Sequence, residues 1–164
     1  MIKKINILIL TMFSIGRSKY APGTVASFTT SLIFIFFYNF KINVIFLILG
    51  VSLLFVCSVY SIDQFKKSFD EVDSKEIVID EFVGQSIPIL MIYSLLPKNN
   101  TAIFIVCVLI SFVTFRLFDI TKPYPINKID KKMKNGFGVM LDDVVAGIYS
   151  SIILLIIIWF IRYE

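Results

Sequence analysis

The sequence predicts an all-α fold, an integral membrane bundle of five to six helices with a polar site at its cytoplasmic face. Three observations carry this expectation. Hydrophobic residues make up 57% of the 164 residues and charged residues only 17%, whereas soluble domains carry about 25% charged residues. The apolar residues fall in long uninterrupted runs without strand-like alternation, and strands usually stop at about 4–8 residues. The acidic residues sit at the ends of those runs, not in their middles. The length fits a single domain, residues 1–164. There is no histidine, so a metal would be held by oxygen ligands or by the two cysteines. Cys57 and Cys107 lie inside apolar runs, form no C-x-x-C pair and read as small buried hydrophobes. The net charge of +4 marks a cytoplasmic face in a membrane protein better than it marks nucleic acid. The aromatic residues lie in apolar stretches and not among basic ones, so no nucleic-acid surface is expected.

The elements follow in order. Residues 1–4 are basic and residues 5–15 apolar, a signal-peptide-like start that lacks an A-x-A-like cleavage site. The segment reads as a short helix, below the roughly 20 residues that span a bilayer. Ala21-Pro22-Gly23-Thr24 is turn chemistry, with Thr24 the expected N-cap of an apolar run over residues 28–40. Lys41 interrupts, and residues 42–62 form a run long enough to cross a membrane. The pair predicts a helical hairpin turning near residues 39–41. Residues 61–76 are polar, with Lys66, Lys67, Asp70, Glu71, Asp73 and Lys75. Residues 77–97 are apolar apart from Asp80 and Glu81, and Pro97-Lys98-Asn99-Asn100 is a turn. Residues 101–118 are apolar apart from Arg116, residues 119–143 are polar, and residues 144–161 form the last apolar helix.

Two apolar runs separate each long polar segment (16–27, 61–76 and 119–143) from the next. If every run crosses or dips and returns, all three segments share one side. The third carries Lys122, Lys128, Lys131, Lys132 and Lys134, which by the positive-inside rule makes that side cytoplasmic.

Four constellations on these segments carry chemistry. Glu76, Asp80 and Glu81 open an apolar run, with Glu76 and Asp80 spaced to share a helix face. Acids there are costly unless they pair, bind a cation or reach water. Arg116 and Asp119 are spaced i,i+3, and Lys122 continues the same face. Gly136-Phe137-Gly138 is a glycine-bearing loop leading into the acid pair Asp142-Asp143 at the start of the last apolar helix. Gly16-Arg17-Ser18 with Gly23, Thr24 and Ser27 offers a helix N-terminus with free N–H groups, a ready anion site. Simple caps and ion pairs are the alternative reading of each constellation, although the three acids Glu76, Asp80 and Glu81 exceed what one cap needs. Together, Asp80, Glu81, Asp119, Asp142 and Asp143 form an oxygen-rich set suited to Mg²⁺ or Mn²⁺. Arg116 and Lys122 are suited to phosphate oxygens, so metal-assisted phosphoryl chemistry fits.

The strings KEIVIDEFVGQSI, FRLFDITKPYPINKID and NGFGVMLDDVVAG, with APGTVAS upstream, resemble the bacterial phosphatidylglycerophosphatase A family. The blocks run in order from Gly16 to Gly147. Ala26 stands where the family pattern expects a glycine. The resemblance implies a Mg²⁺-dependent integral membrane phosphatase of a bacterial inner membrane with its site facing the cytoplasm. Its reaction would convert the lipid phosphatidylglycerophosphate to phosphatidylglycerol and phosphate, the last step of phosphatidylglycerol biosynthesis. The family's blocks match at Gly23, Thr24, Asp80, Glu81, Arg116, Asp119, Lys122, Pro123, Pro125, Gly138, Asp142 and Asp143, and less firmly at Glu76 and Ser27. The resemblance thus implies Asp80, Glu81, Asp119, Asp142 and Asp143 as catalytic and metal-holding acids, with Glu76 as a further ligand. It implies Arg116, Lys122, Gly23, Thr24, Ser27 and Gly138 on the substrate. Two rival readings remain beside it: a small membrane carrier or channel with ion-binding acids, and a related phosphatase for another phosphomonoester. A CDP-alcohol phosphatidyltransferase would need D-G-x-x-A-R and widely spaced aspartates, which this chain lacks.

Overall fold

The computed structural model describes residues 2–65, 76–97 and 100–163. The expected polar residues Lys66, Lys67, Asp70, Glu71, Asp73 and Lys75, and Lys98-Asn99 of the expected turn, lie outside the described residues. Within them the chain is helical: α1 Ile2–Leu10, a 3₁₀ turn Ile15–Arg17, α2 Pro22–Asn39, α3 Val44–Phe65, α4 Ile79–Leu95, α5 Thr101–Thr121, α6 Ile126–Lys132 and α7 Gly136–Tyr163. Among the described residues there are therefore seven α-helices and not five to six. The addition is α6, seven residues inside the polar segment. It escapes a run-length reading because it buries only Ile126.

Among the described residues, three helices are long and apolar enough to cross a membrane: residues Val44–Gln64, Thr101–Thr121 and Gly136–Phe160. At about 1.5 Å per residue they reach about 30 Å or more, the thickness of a hydrocarbon core. Their outward faces carry exposed Phe46, Leu53, Val113, Ile152 and Trp159, among others, as lipid contact requires. Cys57 is exposed on α3 and only Cys107 is buried, which corrects the reading of both as buried. An apolar run that meets lipid need not bury its small residues.

Helix α4 occupies the centre. Leu95 is its only large apolar side chain that is exposed, and its most extensive partner is α7. Two glycines bring these helices together. A Cβ at Gly84 would lie 2.7 Å from the Asp143 carbonyl oxygen and 2.7 Å from the Phe115 ring. A Cβ at Gly147 would overlap the Gly84 carbonyl oxygen. Pro88, four residues after Gly84, has no N–H to give that carbonyl. The pairing is the small-residue contact that lets helix backbones approach closely in membranes.

The ends of the bundle are distinct. At one end Tyr38 Oη donates to the Pro97 carbonyl at 2.7 Å and Tyr93 Oη to the Ile42 carbonyl at 2.7 Å. The Tyr38 ring stacks on Phe104 with centroids 3.8 Å apart. At the other end the Gly136 N–H donates to Asp63 Oδ1 at 2.8 Å, and the Val78 N–H donates to the Leu10 carbonyl at 3.0 Å. The described parts of all three polar segments meet at this second end.

Two helix starts differ from expectation. Helix α2 begins with Ala21 as N-cap and Pro22 at the first position, so Thr24 lies inside the first turn and caps nothing. Proline's fixed φ makes it a natural first residue. Helix α7 begins at Gly136, not at residue 144, because Asn135 Oδ1 accepts the Gly138 N–H at 2.8 Å and Asp63 takes the Gly136 N–H. The glycine segment is helical, and Asp142-Asp143 fall in the second turn.

Substituting Gly84→Val should overpack the α4–α7 contact and destabilise the protein by roughly 1–3 kcal/mol. Thermal unfolding in detergent would show this as a lower midpoint. An unchanged midpoint would mean the two backbones are not this close.

Candidate active site

Four helices deliver side chains to one cleft of about 340 Å³ at the polar end of the bundle. Asp80 and Glu81 come from the first turn of α4, Arg116 and Asp119 from the end of α5, and Asp142 and Asp143 from α7. Lys122 caps α5 in the left-handed region, with φ 42°. It therefore leaves the helix and does not continue the Arg116–Asp119 face. Gly23, in the first turn of α2, closes the remaining wall, and a Cβ there would overlap Glu81 Oε1.

The two acid pairs share one local device. The Glu81 N–H donates to Asp80 Oδ1 at 3.1 Å, and the Asp143 N–H donates to Asp142 Oδ1 at 3.1 Å. In each pair one oxygen of the first acid is held by the backbone N–H of the next residue, while both acids line the cleft. Across the α4–α7 contact, Asp80, Glu81 and Asp143 each offer a carboxylate oxygen, all within 4.8 Å of one another. Glu81 Oε2 is buried without a hydrogen-bond partner. Three converging hard oxygen donors, one of them unpaired, fit a divalent cation such as Mg²⁺.

The cations of the cleft are arranged around these acids. Arg116 Nη1 donates to Asp119 Oδ2 and lies 3.9 Å from Glu81 Oε1, while its Nε is buried without a partner. Lys122 Nζ bridges Asp142 Oδ2 and Asp130 Oδ1, each at 2.9 Å. Burial disfavours the charged lysine, but its bonds to Asp142 and Asp130 outweigh that and raise its pKa above the ordinary value. Burial raises Asp80, and the nearby Glu81, Asp143 and Asp142 charges raise it further. A cation at the carboxylates would reverse that shift.

Of the residues expected in the site, the structure brings together Asp80, Glu81, Asp119, Asp142, Asp143, Arg116, Lys122 and Gly23. Four others lie elsewhere. Thr24 is absent from the cleft wall. Ser27 is buried one turn deeper in α2, donating to the Gly23 carbonyl at 2.8 Å. Gly138 packs against the Met133 carbonyl, beside Asp130 and Lys134. Glu76 precedes α4 instead of sharing its face with Asp80, and pairs with Arg17 at 3.2 Å on the exposed surface. The crossing of residues 76–78 over Gly16 and Leu10 holds it there.

Sequence reasoning missed Asp130, which shares Lys122, and Gln85. Gln85 is fully buried one turn below Glu81, and its Nε2 donates to Ser111 Oγ at 3.0 Å and lies 3.5 Å from Ser31 Oγ. Both serine hydroxyls already donate to backbone carbonyls, so both can accept. Gln85 thereby ties α2, α4 and α5 together directly beneath the cleft. Its i,i+4 spacing from Glu81 was the available signal.

With this geometry in hand, comparisons with known proteins are specific. Residues 8–158 match the model of the family described as Phosphatidylglycerophosphatase A. A Bacteroides thetaiotaomicron protein, provisionally named a phosphatidylinositol-3-phosphatase, is 35% identical over 94% of this chain and 94% of its own. The phosphatidylglycerophosphatase A of Haemophilus influenzae is 34% identical over 93% of this chain and 91% of its own. That of Escherichia coli K12 is 32% identical over 90% and 80%. No solved structure matches the chain.

Lys122 has its pKa raised in the fold, so its ion pairs should stabilise the protein fully below the unfolded value of 10.5 and lose that effect only as pH rises through the higher folded value. The difference in unfolding midpoint between wild type and Lys122→Met should therefore stay constant from about pH 7 to about pH 10. A difference that shrinks across that window would show a lysine already titrating.

Proposed function

The chain belongs to the phosphatidylglycerophosphatase A family, and from that membership we propose that it hydrolyses phosphatidylglycerophosphate to phosphatidylglycerol and phosphate. The observation that carries the reading is the cleft itself. Five carboxylates and two cations converge at one end of a membrane bundle, where the head group of a bilayer lipid would lie.

The proposed chemistry follows from the side chains. Asp80, Glu81 and Asp143 are the residues that would hold Mg²⁺. When bound, a divalent cation neutralises phosphate charge and lowers the pKa of water. The chain's own part is binding and orientation. Asp119 fixes the Arg116 guanidinium in the cleft wall, where it would face a phosphoryl oxygen. Planar donors suit phosphate better than a point charge does. Lys122, held charged by Asp142 and Asp130, adds a second cation at the rim. In the reaction the bond from the terminal phosphorus to the glycerol oxygen breaks as water supplies the new oxygen. A cleft carboxylate accepts the proton of water, and the leaving alkoxide takes one up.

A second substrate is favoured by one observation. The relative provisionally named a phosphatidylinositol-3-phosphatase is as similar to this chain as the two phosphatidylglycerophosphatases. Both lipids present a phosphomonoester at the membrane surface, and the cleft's phosphate-binding groups do not distinguish them. Purified protein should release phosphate from phosphatidylglycerophosphate faster than from phosphatidylinositol 3-phosphate, and chelation of divalent cations should abolish release. Asp80→Asn should lower kcat by at least about two orders of magnitude, roughly 2.7 kcal/mol, in a protein that remains folded. Undiminished turnover after confirmed metal removal would refute the metal role, and a reversed preference would assign the inositol lipid.

We also place the protein in a bacterial inner membrane with this cleft on the cytoplasmic side. Exposed Lys128, Lys131, Lys132 and Lys134 surround the polar end, as the positive-inside rule requires. Single cysteines at Lys19 and Lys131, in a background lacking Cys57 and Cys107, should resist an impermeant thiol reagent in intact cells. Labelling of either from outside would overturn the orientation.

A further inference from the structure

An apolar groove of about 370 Å³ lies beside the acid cleft and plays no part in the chemistry above. Its walls come from α1 and the turn after it (Ile9, Ile15), α2 (Ile33), α3 (Leu54) and α4 (Ile79, Phe82). The single hydroxyl on its wall, Thr29, donates to the Val25 carbonyl at 2.8 Å, so nothing on the surface asks for a polar partner. The wall is built deliberately. Met12, Phe13 and Ser14 all have positive φ, at 44°, 55° and 76°. This rare conformation for side-chain-bearing residues reverses the chain after α1 and sets Ile9 and Ile15 against one space.

We propose that this groove receives one acyl chain of the phosphomonoester lipid whose head group enters the acid cleft. The proposal rests on the phosphatase reading and extends it to what the enzyme recognises beyond phosphate. Two further observations support it. The groove and the cleft share a wall. Ile77 faces the cleft and Ile79 the groove, with Val78 between them pinned by its N–H to the Leu10 carbonyl at 3.0 Å. On α4, Asp80 and Glu81 serve the cleft while Ile79 and Phe82 serve the groove. The groove also runs the right way. Ile33 lies ten residues beyond Gly23 on α2, about 15 Å along the helix axis, away from the polar end and toward the bundle interior. A lipid whose phosphate sits in the cleft would send a tail in that direction. A tail seated there orients the head group in the cleft, which gives the enzyme a way to prefer a diacyl phosphomonoester over a water-soluble one that lacks the tail.

Ile33→Trp would fill the groove without touching the cleft, and Ile33→Ala would widen it. The readout is the ratio of kcat/KM for a phosphatidylglycerophosphate with long acyl chains to that for its dihexanoyl analogue. Ile33→Trp should lower this ratio by about tenfold or more, and Ile33→Ala should shift it by less. Equal losses on both lipids in Ile33→Trp would overturn the proposal. A second measurement separates this from the phosphatase reading. Phosphatidic acid carrying a photoreactive acyl chain, mixed with the wild-type protein in detergent, should label Ile9, Ile33, Leu54 or Phe82. Excess unlabelled phosphatidic acid should suppress the labelling. Wild type inactive on every phosphomonoester but labelled at these residues would defeat the substrate assignment and leave the groove standing. Labels scattered over the outer faces of α3, α5 and α7, with none suppressible, would show bulk lipid only and refute the groove.

Discussion

The close approach of α4 and α7 is the constraint on which the site depends. Gly84 and Gly147 let the two backbones meet where any side chain would collide with a carbonyl or with Phe115. Asp80 and Glu81 lie four and three residues before Gly84, and Asp143 four residues before Gly147. The glycine contact therefore sets the acids one turn above it face to face. A wider separation would leave Asp80 and Glu81 at the start of α4, a modest interaction with its dipole of roughly 0.3–1 kcal/mol, and Asp143 apart from them inside α7. At the observed separation their oxygens converge to within 4.8 Å. Packing with no polar content thus decides whether these carboxylates form one centre or two separate groups.

That convergence has an electrostatic cost, and the surrounding cations show how it is met. Five acids face Arg116 and Lys122 within one small cleft. Lys122 is divided between Asp142 and Asp130, and Arg116 between Asp119 and Glu81. Asp80 has neither cation, and its carboxyl is pushed toward the neutral form by burial and by its acidic neighbours. The side chains alone leave an excess of negative charge at Asp80, Glu81 and Asp143. In the proposed reading a divalent cation would meet that demand, and a phosphate dianion could then approach acids that would otherwise repel it. Gln85 beneath supplies the rigidity, because its bonds to Ser31 and Ser111 tie three of the four contributing helices in one register.

The parts of this arrangement that were legible in the sequence are those written in run length and charge sign. The long helices, the hairpin near residue 40 and the gathering of Asp80, Glu81, Arg116, Asp119, Lys122, Asp142 and Asp143 at one end all follow from where charges interrupt apolar runs. Short-range caps were less legible. Thr24 looked like an N-cap, but Pro22 starts the helix sooner. The glycine segment at 136–138 looked like a loop, but Asn135 and Asp63 supply the two acceptors that let a helix begin there. Helix α6 carries too few apolar residues to show as a run. Asp130 was invisible because its role needs Lys122 to leave α5 in the left-handed region. Glu76 had the right spacing for the α4 face, but spacing has meaning only inside a helix, and α4 starts three residues later.

The same geometry explains why such chemistry belongs on a membrane bundle. The acid cleft and the apolar groove are separated by residues 77–79 and open from the same end of the protein. A phosphomonoester lipid is divided in the same way, into a charged head and apolar tails that meet at the bilayer surface. Hydrolysis there requires no extraction of the lipid, which would expose its tails to water at about 0.8 kcal/mol per methylene. The exposed lysines of α6 add attraction for anionic lipid, about 1 kcal/mol per basic residue near the surface. On the proposed reading the first turn of α4 would serve both parts of one molecule, with Asp80 and Glu81 addressing the head group and Ile79 and Phe82 a tail.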